Sequence, residues 1–235
     1  MTGTLFGIGV GPGDPDLMTI KAHRLIAEAR IVAYPAPDSG ESFARSIAAG
    51  IIRADAIEFP MIVPMRTERF PAQDVYAAAA QAIAGHLTAG EDVAVLCEGD
   101  PLFYGSFMYL FARLAPRFPC EVVPGVSSLA ACSAALPRPL AARNEVLTVI
   151  PGPLPDDALR ERIEGAEAVA IMKVGRHLPR LRALLDAMGL MARAAYVERA
   201  SLPGQRAVPL AEAPDAAPYF SMILIYRGSD PWLNP

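Results

Sequence analysis

Four short stretches of the chain carry residues suited to more than connection. They are Gly9 to Asp14, Glu98 to Gly105, Pro124 to Ser128 and Met172 to Gly175. Each follows a short apolar run of the kind that forms a buried strand. In open α/β sheets, ligands bind beyond the carboxyl ends of the strands. Four unusual loops at equivalent ends therefore point to one shared crevice.

The first loop, Gly7-Ile8-Gly9-Val10-Gly11-Pro12-Gly13-Asp14, invites a dinucleotide reading. It fails the G-x-G-x-x-G pattern, because the sixth position from Gly7 is Pro12 and from Gly9 is Asp14. Pro12 and Pro15 also stand where such a loop should run straight into its helix, so hydride transfer from a nicotinamide is rejected. A ligand loop and a tight turn without a ligand remain. In the second loop, Gly99 lets backbone approach a ligand closely. Asp100 precedes Pro101 and is held extended. Its carboxylate is placed to accept hydrogen bonds from a ribose or an ammonium, or equally to cap a helix or close an Asx turn.

The elements that position these loops alternate. A strand over Leu5 to Val10 leads to a helix capped by Thr19 and running to about Ala29. A strand over Ile31 to Tyr34 is stopped by Pro35 and Pro37. Asp74 caps an Ala-rich helix to about Leu87, with Gly90 just past its end. Strand Val93 to Cys97, helix Phe107 to Leu114 and strand Glu121 to Val123 follow, then a helix from Ser127 or Ser128 to Leu136. The second half reads as strand Val146 to Ile150, helix Asp156 to Glu164, strand Ala168 to Met172, helix Leu178 to Met188, strand Ala194 to Val197 and strand Phe220 to Tyr226. Such alternation implies an α/β fold with parallel sheet and helices on its faces. A boundary near Pro116 to Pro119 divides it into lobes 1–118 and 119–235.

Bulk composition narrows the function classes. Hydrophobic residues make up 53% of the 235 and charged residues 20%, enough core and too little charge for a disordered chain. Twenty-one basic against 25 acidic residues leave a net charge of −4, which disfavours nucleic acid as a partner. Cys97, Cys120 and Cys132 lack C-x-x-C spacing, so they read as reduced thiols in a cytoplasmic protein, and no metal site is expected. No apolar run approaches the roughly 18 residues of a membrane span, so no membrane partner is expected. Met1 to Phe6 shows no basic region followed by an apolar stretch, so no secretory signal is expected. His23, His86 and His177 are scattered and read as surface or packing residues. Phe107, Met108, Tyr109 and Phe111 read as helix core and cleft wall, and Glu161, Arg162 and Glu164 as a solvated helix face.

Three of the loops carry a family resemblance. Gly7 to Asp14 with Leu17, Thr19 and Ala22 resembles the proline-rich opening loop of the tetrapyrrole (corrin/porphyrin) methylases. Gly99-Asp100-Pro101 with Phe103 and Gly105 is similar to their G-D-P-x-x-(F/Y)-G motif, and Val123 to Ser128 to their V-P-G-(I/V)-(S/T)-(S/A) segment. The likeness extends over essentially the whole chain. Cys97 to Phe107, Tyr34-Pro35 and Met172 to Arg176 look like the branch that methylates carbon 20 of precorrin-2 or its cobalt-containing counterpart. Glu98 and Ser106 depart from the G-G-D-P wording of the uroporphyrinogen methylases.

The resemblance implies a homodimer of two-domain chains. The N-terminal sheet would be largely parallel, the C-terminal sheet mixed, with S-adenosyl-L-methionine in the interdomain cleft and S-adenosyl-L-homocysteine as its product. It implies cofactor contacts at Glu98, Gly99, Asp100, Ser127, Ser128 and Met172, and further ones at Glu198 to Ala200 and Ser221-Met222. It places Gly11, Pro12, Gly13 and Asp14 near the tetrapyrrole substrate. Tyr104 is a further substrate candidate, and Lys173 and Arg176 are candidates for its carboxylates. Lys21, Arg24, Arg66, Arg69, Arg138 and Arg143 complete the pool of cations for a basic rim. The proton acceptor is left open among Tyr104, Glu98 and water.

Overall fold

The computed structural model describes residues 1–63 and 70–228. The chain divides into two compact units, Met1–Ser127 and Ser128–Pro235.

Among the described residues, the first unit is built on one five-stranded sheet. Its strands are β1 (Leu5–Gly9), β2 (Ile31–Ala36), β3 (Ile57–Ile62), β4 (Val93–Cys97) and β5 (Cys120–Val123), in the order β3-β2-β4-β1-β5. Every pairing is parallel. Helices α1 (Ile20–Glu28) and α2 (Phe43–Ala48) cover one face, packing Ala22, Ile26 and Ile47 on Ile8, Val32 and Leu96. Helices α3 (Phe70–Thr88) and α4 (Phe107–Leu114) cover the other, packing Ile83, Phe107 and Leu110 on Leu5, Ile31 and Val95. Successive strand residues thus serve opposite faces, which is why these strands read as unbroken apolar runs.

In the second unit α5 (Ser128–Ala135), α6 (Asp156–Glu164) and α7 (Leu178–Ala187) flank a second five-stranded sheet. Its strands are β6 (Leu147–Pro151), β7 (Ala168–Met172), β8 (Ala194–Glu198), β9 (Arg206–Pro209) and β10 (Ser221–Tyr226), in the order β6-β7-β10-β8-β9. β6 and β7 are parallel, and the remaining pairs are antiparallel. The sheet is therefore mixed, as the resemblance implies. Ile223 and Ile225 face α6 and α7, whereas Met222 and Leu224 face α5.

Several expected boundaries move. The division lies at Ser127/Ser128 rather than 118/119, because β5 pairs with β1 and so belongs to the first sheet. β2 runs through Pro35 instead of stopping at Tyr34. Ile57 and Val63 donate to Arg30 and Ala36, so the even-numbered residues of β2 bond β3. Pro35 points its missing N–H toward β4, whose pairing with β2 ends at Ala33, and no ladder bond is lost. Asp74 does not cap α3, which begins at Phe70 with Pro71 in its first turn, where a proline has no hydrogen bond to forfeit. α2, β3 and β9 have no counterpart in the sequence reading. α2 has six residues, too few to show a period, and β3 and β9 are edge strands carrying Pro60 and Pro209.

Candidate functional site

The first unit's strand order creates the crevice. β1 continues through α1 to β2 on one side of it, while β4 continues through α4 to β5 on the other. These connections leave toward opposite faces, so the sheet has a topological switch point between β1 and β4. The two motif loops meet there. Gly11 donates to Gly99 O at 3.3 Å and Gly99 donates to Gly11 O at 2.8 Å, an isolated bridge that ties loop to loop.

The loop after β5 packs into the same place. A Cβ on Gly125 would lie 2.0 Å from Gly99 O, and one on Gly9 2.6 Å from the same oxygen. Only glycine fits at these contacts, for reasons of space rather than dihedral freedom. Asp100 completes the junction. Its Oδ1 accepts from Leu102 N at 2.9 Å and Phe103 N at 3.1 Å, and its Oδ2 accepts from Gly125 N at 3.2 Å. Of the alternatives open to this carboxylate, the structure realises the Asx turn and adds a clip to the β5 loop. Tyr104 follows at φ 58°, with its ring edge-on to Phe103 at 5.2 Å and partly exposed.

Glu98 is half-buried at the end of β4. Burial pushes its carboxyl above the ordinary range, and the backbone N–H groups of Glu98 itself and of Ala44 in α2 pull it down in part. Beside α2, Arg45 forks onto Glu58 of β3 through Nε at 2.5 Å and Nη2 at 2.8 Å. The Tyr34 hydroxyl donates to Glu58 Oε2 at 2.8 Å. Ser42 caps α2 by accepting from Arg45 N and donates to Pro35 O. The sequence reading missed this network. The branch-like Tyr34-Pro35 was its one visible sign.

The remaining first-unit candidates are less available. Gly11, Pro12 and Gly13 are buried, and the half-buried Asp14 accepts from Asp16 N at 2.9 Å, capping the turn Pro15–Leu17. Ser127 is half-buried and ends the unit. Lys21 is ion-paired with Glu121, and Arg24 is exposed. Arg66 and Arg69 lie outside the described residues.

In the second unit the candidates gather at one end of the mixed sheet. Met172, Ala200 and Met222 share a single apolar cluster packed with Ala131 and Cys132 of α5. Met222 and Ala200 are buried and Met172 half-buried, as is Ser128 at the start of α5. Three non-glycine residues at this end take left-handed backbone: Lys173 (φ 57°), Arg199 (φ 51°) and Ser201 (φ 67°). Such strain persists where surrounding contacts impose it and clusters at functional sites. Here Ser221 Oγ accepts from Gly175 N at 3.2 Å and donates to Pro218 O at 2.6 Å, while Arg199 N donates to Phe220 O. Glu198 accepts from the Tyr196 hydroxyl at 2.5 Å, and burial together with that carboxylate raises the tyrosine's pKa. Arg176 is exposed, and Lys173 is half-buried. Arg138 and Arg143 are exposed elsewhere on the unit.

Among the described residues no three His, Cys, Asp or Glu side chains cluster as metal ligands, and no helix is long and apolar enough to cross a membrane. Cys97, Cys120 and Cys132 are free.

Over residues 4–214 the sequence matches the family described as Tetrapyrrole (Corrin/Porphyrin) Methylases. It is 43% identical over 232 residues to a precorrin-2 C(20)-methyltransferase of Sinorhizobium sp, covering 95% of each chain. It is 46% identical over 235 residues to cobalamin biosynthesis protein CobIJ of Mycobacterium tuberculosis (strain ATCC 25618 / H37Rv). That match covers 96% of this chain and 46% of the relative, so the chain spans about half the length of CobIJ. Among solved structures, a uroporphyrin-III C-methyl transferase from Thermus thermophilus complexed with S-adenyl homocysteine superposes with a TM-score of 0.65 at 26% identity, covering 94% of this chain and 97% of that one.

Proposed function

We propose that this chain, which belongs to the tetrapyrrole (corrin/porphyrin) methylases, transfers the methyl group of S-adenosyl-L-methionine to carbon 20 of precorrin-2 and releases S-adenosyl-L-homocysteine. The observation that carries the reading is the meeting of the β1, β4 and β5 loops at the switch point of the first sheet. The near full-length likeness to a C(20)-methyltransferase supports the choice of carbon.

The residues present suit a sulfonium cofactor. The loops Gly9 to Asp14, Glu98 to Gly105 and Pro124 to Ser128 include Asp14, Glu98 and Asp100 but no lysine or arginine, so the crevice favours a cation. When bound, the cofactor supplies an already activated methyl group. The protein's share is then alignment and exclusion of water, which lowers barriers by up to about 7–11 kcal/mol in favourable cases.

In this reading Glu98, Gly99, Ser127 and Ser128 line the cofactor, and Asp100 acts by holding Gly99 and Gly125 in register. Met172, Ala200 and Met222 are the second unit's share. Gly11 to Asp14, Tyr104, Lys173 and Arg176 serve the tetrapyrrole, with the two cations facing its carboxylates. The working state is a cytoplasmic homodimer without nucleic-acid or membrane partners. The acidic balance and the free thiols support that placement.

The deciding experiment incubates the chain with precorrin-2 or cobalt-precorrin-2 and cofactor labelled at its methyl carbon, then locates the new methyl by NMR. Label at carbon 20 with one substrate is the expected outcome and identifies which substrate is used. Label at another ring carbon, or none, refutes the assignment.

A further inference from the structure

Buried backbone groups are almost always hydrogen-bonded, so one left without a partner in its own chain looks outward, to water or to a ligand. Ala200 is such a residue. It is 7% exposed and packs in the apolar cluster with Met172 and Met222. Among the described residues, neither its N–H nor its carbonyl has a hydrogen-bond partner.

Two consecutive turns hold Ala200 in place. Leu202 N donates to Arg199 O at 3.0 Å, closing a turn with Ala200 and Ser201 at its middle. Ser201 has φ 67° and Ala200 is not left-handed, the type II pattern, whose third position favours glycine. Gln205 N donates to Leu202 O at 3.0 Å, closing a second turn around Pro203-Gly204. Pro203 suits the second position of that turn, and Gly204 takes the left-handed third position at φ 86°. The second turn carries the Gln205 side chain back to the first, where its Oε1 accepts from Ser201 N at 2.7 Å.

We propose that Gln205 is a positioning residue for the cofactor: by holding the Ser201 N–H it aims the Ala200 carbonyl, which accepts a hydrogen bond from the exocyclic amine of the adenine. The inference rests on the proposed function, which puts Ala200 among the cofactor's neighbours. The Ala200 carbonyl and the Ser201 N–H belong to one planar trans peptide and point in opposite directions, so whatever fixes one aims the other. Turns of types I and II differ by a flip of this middle peptide, and a serine at the third position favours the unflipped form. Flipping back would relieve the φ of Ser201 and turn the Ala200 carbonyl around. The Gln205 acceptor opposes that flip, because it would lose the Ser201 N–H. The surroundings select the base over the cofactor's other donors. Ala131, Cys132, Val197, Met222 and Leu224 pack with Ala200, an apolar setting that suits a flat ring better than an ammonium or ribose hydroxyls.

The test titrates S-adenosyl-L-homocysteine and S-inosyl-L-homocysteine into the chain by calorimetry. The inosyl base carries oxygen in place of the amine and would set acceptor against acceptor. The wild type should bind the adenosyl ligand about tenfold or more tightly than the inosyl one. Gln205→Leu removes the acceptor and should lose about 3- to 10-fold in adenosyl affinity, with the preference between the bases narrowing in step. Gln205→Glu keeps an acceptor oxygen and should restore both. Gln205→Asn withdraws the oxygen by one methylene and should resemble Gln205→Leu, and it decides the matter if the leucine variant does not fold. A merely structural role would lower the melting temperature and leave the base preference intact, and that outcome overturns the proposal. So does a glutamate variant that behaves like the leucine one, or a wild type that binds both ligands equally. A wild type that binds neither ligand brings down the proposed function itself, and this inference with it.

Discussion

The two units solve the same problem, holding several loops together at the end of a sheet, by different means. In the first, backbone packs on backbone: Gly9 and Gly125 approach Gly99 O so closely that neither has room for a Cβ, and one carboxylate, Asp100, clips two loops. In the second, the junction is made by Ser221 and by non-glycine residues forced into left-handed backbone at Lys173, Arg199 and Ser201. A steric junction tolerates no added atom. A junction of side-chain hydrogen bonds and strained dihedrals costs less when altered, because each element can relax alone.

The sharpest contrast is between two glycines. Gly125→Val places a Cβ on backbone at 2.0 Å from Gly99 O, and it should cost about 3 kcal/mol or more in stability and abolish cofactor binding. Gly175→Ala meets nothing nearer than 3.8 Å and strains only a φ of 36°, so about 1 kcal/mol is expected. Urea denaturation of both variants reads the difference, and equal losses would erase the distinction between the units.

A middle-sized effect separates the two clips. Asp100→Ala strips the partner from three backbone N–H groups and should weaken cofactor binding by about 1–3 kcal/mol. Ser221→Ala removes one acceptor and one donor in a buried setting and should lower stability by about 1–2 kcal/mol. Calorimetric titration beside thermal melts distinguishes them. An Asp100→Ala chain with normal cofactor affinity would show that the clip does not shape the site.

The smallest effect should be a gain. Lys173→Gly relieves a left-handed non-glycine residue, and after glycine's own entropy cost a net stabilisation of about 0.5–1 kcal/mol remains. The same variant should raise the KM for the tetrapyrrole several-fold. A KM equal to wild type removes Lys173 from the substrate's carboxylates, and a loss of stability means the strain is not where the dihedral places it.

The first unit was the more legible because glycine and proline are visible letters. Gly99-Asp100-Pro101 and Val123-Pro124-Gly125 announce special backbone wherever they occur, and helices such as Phe107–Leu114 and Asp156–Glu164 follow from period and flanking breakers. The strained positions at the second unit's sheet end are a lysine, an arginine and a serine, residues whose names predict ordinary backbone.

By itself the sequence determined the alternation of strands and helices, the loops that matter, and the family to which they belong, because these depend on local residue type and near-neighbour order. Tertiary structure decided the rest. That β5 joins the first sheet depends on which strand lies beside β1, and periodicity carries no information about partners. That Asp100 also reaches across to the β5 loop could not be read from the sequence, because Gly125, whose N–H donates to it at 3.2 Å, lies 25 residues away. Distance along the chain does not encode such meetings; the packing of the sheet does.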